Sequence, residues 1–90
     1  MKKLVEVFEV DSKTEGLDAL IGEKVLLICS AYFYTGKLVG VNDTFVKLDD
    51  PAIVYETGAW TNKAYVDVQP LHVKTWCVQR AAIESFGVSK

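Results

Sequence analysis

The chain has one histidine and two cysteines, and Cys29, His72 and Cys77 do not fall at the short paired spacings by which side chains hold a metal. Neither a metal nor a cofactor is expected. No Ser/His/Asp or Cys/His set has a spacing that would serve nucleophilic catalysis, and phosphate loops and dinucleotide fingerprints are missing. His72 lies in a predicted strand just after Pro70, where a structural role outweighs a catalytic one, and Glu6 and Glu9 alternate with apolar residues as a solvated face does. The expectation is a protein that is not an enzyme. A basic excess is also lacking: 10 Lys+Arg stand against 12 Asp+Glu, so no broad face can grip duplex phosphates by counterion release. Duplex DNA is not an expected partner, and any nucleic-acid site has to be local. Long apolar runs are absent too; the longest compact one, Val25–Cys29, is far below the ~18 residues that suggest a membrane span. Lys2 and Lys3 open the chain as a secretory leader would, but Glu6 and Glu9 interrupt the apolar segment such a leader needs. A cytoplasmic protein without a membrane partner is expected, with Cys29 and Cys77, both in apolar strand contexts, as buried reduced thiols.

What is there is apolar and strand-like. Half of the 90 residues are hydrophobic and 24% are charged, which excludes disorder. A chain of this size buries only ~60–65% of its unfolded surface, so its core is small, and completion by other copies of the chain is as open as a monomer. Linkers, repeats and low-complexity tracts are missing, which leaves one domain over 1–90. Leu4–Val10 alternates as a strand and makes 1–13 an N-terminal extension. Helix plus barrel then occupy 14–88. Ser12 and Glu15 have capping-box spacing, Leu17, Leu20 and Ile21 recur at helical intervals, and Gly22 is a natural stop, so a short helix is predicted as a lid. From Lys24 onward the signals are all strand. Val25–Cys29 reads as buried on both faces, Gly36 and Gly40 let the next strand coil, and a third strand bends near Asp49-Asp50-Pro51. Residues 58–63 form a loop, 64–78 one long strand bent at Pro70, and 83–88 the last strand after a tight Gln79–Ala82 turn. These signals predict an all-β chain: a small, strongly bent, five-stranded antiparallel barrel with a short N-terminal helix and an extra N-terminal strand.

In "LIGEKVLLIC" and "YTGKLVGVNDTFVKL", with Gly36 and Leu38 in register, and in "WCVQRAAIESF", the chain resembles the Sm-like family, including its bacterial branch, Hfq. The resemblance covers roughly Thr14 to Val88. It implies the Sm-like fold, a homo-oligomeric ring of five to seven subunits closed by strand pairing between neighbours, and binding of single-stranded RNA in RNA metabolism. The departures are specific. The family's Asp falls on Asn42 with Asp43 one place later, its base-stacking position on Thr44, and its uracil-reading Asn on Val46; Phe45 takes a core position. The Arg-Gly pair of the second motif falls on Gln79-Arg80, where Arg80 is the one cation expected.

The resemblance brings the turns Asn42-Asp43-Thr44 and Gln79-Arg80 together at the ring's inner rim, where amides can read base edges and Arg80 can stack on a base or meet a phosphate. The alternative for the first turn is a polar hairpin whose Asn and Asp cap their own backbone. Trp60, in a polar loop, marks a second contact site, with Lys63 close by in sequence, facing either RNA on the outer rim or a neighbouring subunit. Tyr32, Phe33 and Tyr34 suggest a stacking platform or packing equally. A second function stands beside RNA binding: a scaffold ring, of the kind small phage-encoded barrels form, that binds no RNA.

Overall fold

The computed structural model describes residues 15–90; the expected strand Leu4–Val10, the rest of the extension 1–13 and Ser12 of the capping box lie outside the described residues. Six strands follow one another: β1 (Lys24–Cys29), β2 (Phe33–Val41), β3 (Phe45–Glu56), β4 (Asp67–Pro70), β5 (Thr75–Gln79) and β6 (Ile83–Val88). They form a single antiparallel sheet in the order β4-β3-β2-β1-β6, with β5 also paired to β3. The chain is all-β, as its composition and alternation require. Among the described residues the sheet is not closed: β5 pairs with β3 and β6 with β1.

Period-two alternation puts Val25, Leu27 and Cys29 of β1 on the face that also carries Leu38, Val46, Leu48 and Val78, and these residues with Leu17 are the buried cluster. On the opposite face Leu26, Thr35 and Ala52 stand side by side across β1, β2 and β3 and are buried as well. That double burial is why "VLLIC" reads as an unbroken apolar run.

The bends fall where glycine and proline predict them. Register slips in the β2–β3 ladder occur between Thr35 and Lys37 and between Leu38 and Gly40. At the first, a Cβ on Gly36 would stand 2.9 Å from the Asp49 carbonyl oxygen and 3.3 Å from Pro51 Cα, so only glycine lets the strands approach. Opposite it, Asp50 has φ 48° and Pro51 is buried. There β3 changes partner, from β5 along Phe45–Asp49 to β4 along Ala52–Glu56. Proline fits at this point because the ladder is already interrupted and its missing N–H breaks no bond.

Several expectations need correction. The helix is a single 3-10 turn, Asp18–Leu20. Leu17 reaches the core and Leu20 packs against it, but Ile21 is exposed, and the segment is held instead by backbone bonds from Gly22 and to Glu23 on either side of Leu38. So short a segment gains too little from its own hydrogen bonds to wind further. The long strand 64–78 is two strands, β4 and β5, and His72 lies between them with φ 57°, not in a strand. The backbone leaves the sheet there because Leu71 N–H donates to the Pro51 carbonyl and Asp50 N–H to that of Lys74, tying the two bends together. The expected count of five strands becomes six for that reason. Cys29 is buried, but Cys77 is exposed, because Val78 and Trp76 take the core-facing positions of β5 and Cys77 faces the other way. Phe45 is likewise on the outward side of β3, half-buried, while Val46 and Leu48 fill the core.

Candidate nucleic-acid interface

The β2–β3 turn is built by one side chain. The Asn42 Oδ1 accepts from the backbone N–H groups of Thr44 and Phe45, each at 2.8 Å, and the Asn42 N–H donates to the Phe45 carbonyl. This is the self-capping that a short amide side chain offers a turn. It leaves the Asn42 amide nitrogen, but not its oxygen, for another partner. Asp43 and Thr44 are exposed on the same turn.

The turn after β5 is fastened to this one by Arg80. Its backbone N–H donates to the Thr44 carbonyl at 2.8 Å, and its Nη1 donates to the Asn42 carbonyl at 2.8 Å. The expected juxtaposition of Asn42-Asp43-Thr44 with Gln79-Arg80 is therefore present within one chain. A guanidinium carries five N–H donors, so this one contact to Asn42 orients Arg80 and leaves most of its donors for an anion. Gln79 is exposed and lies directly across from Phe45.

Two side chains missed as contacts belong to this surface. Lys47 pairs with Cys77, and the alternation places both on the face of Phe45 and Gln79, so Arg80 is not the only cation there. Phe45 offers a half-exposed ring beside the turn, where Thr44 has only a hydroxyl and a methyl. The signal was in the alternation itself: with Val46 and Leu48 inward, Phe45 and Lys47 have to point out.

A groove of about 310 Å³ runs along β5, with Cys29, Tyr32, Tyr34, Trp76, Cys77 and Gln79 among its lining. Burial pushes the Cys29 thiol above its ordinary pKa, with Glu84 adding to it; burial also raises the Tyr34 phenol, with Cys29 and Tyr32 adding. Both groups therefore stay neutral near pH 7. Tyr32 meets Tyr34 and Tyr55 edge-on, at ring separations of 6.2 and 6.3 Å, so the two tyrosines of the "YFY" triplet are engaged in a small aromatic cluster.

Trp60 and Lys63 stand apart from the two turns. Both are exposed, Trp60 by 64%, in the segment between β3 and β4. The cation over the Trp60 ring is Lys90, at 5.5 Å, a residue that sequence distance gave no reason to place there. Among the described residues no group of three or more His, Cys, Asp or Glu could hold a metal, and no helix is long and apolar enough to cross a membrane. Compared with known proteins, the chain matches no family model and no curated protein.

Proposed function

We propose that the chain is an Sm-like protein that forms a homo-oligomeric ring and binds single-stranded RNA through the surface built by the Asn42-Asp43-Thr44 and Gln79-Arg80 turns. The observation that carries this reading is the Arg80 clamp: two hydrogen bonds at 2.8 Å join the turns that the resemblance assigns to one site. The clamp supports three kinds of contact. The remaining Arg80 donors and Lys47 suit phosphate, Phe45 suits stacking on an unpaired base, and Gln79 with the Asn42 amide nitrogen suits base edges. Trp60 and Lys63 would form a separate outer contact. Such a protein works by binding, and in the cytoplasm it would protect or anneal RNA without chemistry. The open barrel would close around the ring through β5 and β6, which are edges among the described residues and where Trp76, Phe86 and Val88 are 40, 43 and 63% exposed.

A scaffold ring without RNA is the second reading. Val46 favours it, since the residue at the uracil-reading position is fully buried in the core and apolar. Binding of oligo-U, oligo-A and duplex RNA at two salt concentrations separates the two. RNA function predicts that single strands bind, and that Arg80→Ala weakens them by about 1–3 kcal/mol per engaged site with a shallower salt slope. Asn42→Asp keeps the oxygen that caps the turn and removes the amide donor, so it should change base preference without unfolding the turn. If no single strand binds at low salt, the scaffold stands. If binding persists unchanged in Arg80→Ala, the site is elsewhere, with Trp60 and Lys63 the next to test.

A further inference from the structure

On the far side of the sheet from the core cluster, the segment between β3 and β4 is shaped around an ammonium group. Lys90, two residues beyond β6, extends its Nζ to the carbonyl oxygens of Thr57 at 2.9 Å and Ala59 at 3.0 Å. The same Nζ stands 5.5 Å from the Trp60 ring centroid and 5.1 Å from that of Tyr65. Two carbonyls and two aromatic faces converge on one charge, and among the described residues no carboxylate takes part. Carbonyl oxygens accept N–H bonds, and ring faces attract any cation within about 6 Å.

The receptor is held in shape by other contacts. Gly58 has φ 70°, and a Cβ there would come within 2.6 Å of Val66 and 3.1 Å of the Asn62 side chain, so the loop closes tightly on itself at that point. The Asn62 N–H donates to the Ala59 carbonyl, and the Thr57 hydroxyl to that of Gly58. Tyr65 is anchored separately: its hydroxyl lies 2.6 Å from Ser89 Oγ, which is 3.2 Å from the hydroxyl of the buried Thr35. Thr35 in turn donates to the Val25 carbonyl at 2.8 Å. One wall of the cage is thus fixed to the sheet and the other to a glycine-dependent turn, and only the Lys90 side chain is long and mobile by nature.

We propose that the Thr57 and Ala59 carbonyls with the Trp60 and Tyr65 rings form a binding site for a primary alkylammonium, which Lys90 fills from within as a latch on the 57–66 loop. An external ligand of the same chemistry, the side chain of a lysine in a peptide or a free diamine, takes the cage when Lys90 is withdrawn or loses its charge. A tethered side chain acts at an effective concentration on the order of millimolar, so the latched protein resists dilute amines. The site is independent of the two turns assigned to RNA.

Removing the latch and supplying its missing part tests the assignment, with the indole N–H signal of Trp60 in NMR spectra as the readout. In Lys90→Ala, n-butylammonium should shift that signal saturably at concentrations on the order of millimolar, whereas the wild type should respond at least several-fold less. Tetramethylammonium, which offers a charge but no N–H, should bind Lys90→Ala much more weakly, and Lys90→Ala with Trp60→Leu should not bind, read from the Tyr65 ring signals. Comparing Nα-acetyl-lysine methylamide with putrescine then separates peptide lysines from free diamines. A Lys90→Ala protein that does not respond, an equal response in the wild type, or equal binding of tetramethylammonium overturns the proposal. Should Lys90→Ala fail to fold, Lys90→Met keeps the apolar stem and removes only the ammonium. Its Asn62 amide should exchange with solvent several-fold faster than in the wild type, and unchanged exchange overturns the latch.

Discussion

The two thiols show how much a single residue's direction decides. Cys29 and Cys77 both lie in apolar strands, yet Cys29 points into the core and Cys77 out of it. Native protein at pH 8 should therefore lose one thiol rapidly to a maleimide, at Cys77, and the second only on unfolding; mass spectrometry of the labelled peptides reads both. Rapid native labelling of Cys29 would contradict its burial. The raised Cys29 and Tyr34 pKa values carry a consequence for stability. In the unfolded chain these groups ionise at their ordinary values, while in the folded chain they hold their protons to higher pH. Between those limits the native state binds more protons than the unfolded one, so stability is full below the ordinary values and falls as pH rises through the raised ones. Urea melts from pH 7 to 10.5 should show that fall, and Cys29→Ala should flatten its first part.

Among the elements, β3 organises the rest. It pairs with β2 along its length and divides its other edge between β5 and β4 at Asp50-Pro51. The cost of that division is concentrated in Asp50, a non-glycine residue at φ 48°. Asp50→Gly relieves the conformation and should leave stability unchanged or raise it by up to about 1 kcal/mol, while the β-branched Asp50→Val should lower it by about 1–3 kcal/mol. Equal melting of the two variants would show that backbone strain is not what Asp50 contributes. The bend was legible from Pro51 and the paired aspartates. The break between β4 and β5 was not, because "VDVQPLHVKTWCV" alternates well enough to be one strand, and what ends it is a backbone contact with the other bend, from Leu71 to Pro51.

For the whole molecule the open side is the decisive feature. Among the described residues β5 and β6 are edges, and β6 pairs Phe86 with the buried Leu27 while leaving Phe86 43% exposed. Native mass spectrometry should give a single closed assembly of five to seven copies. Phe86→Glu places a charge on the uncovered part of that face and should yield a folded monomer, judged by circular dichroism and sedimentation. A stable wild-type monomer at micromolar concentration would remove the ring, and with it the inner rim as a repeated site.

The sequence alone determined the strand class, the turn at Asn42-Asp43 and the coiling points at Gly36 and Pro51. These rest on period-two alternation and backbone chemistry that act over a few residues. The tertiary structure decided which turn Arg80 would clamp, 38 residues from Asn42, and that Phe45 and Lys47 would face outward beside Gln79. It also decided that Lys90, 30 residues from Trp60, and not its sequence neighbour Lys63, would supply the cation over the ring. Those contacts depend on strand register and on how far β3 bends, and both are set by packing across the whole sheet rather than by any local stretch of the chain.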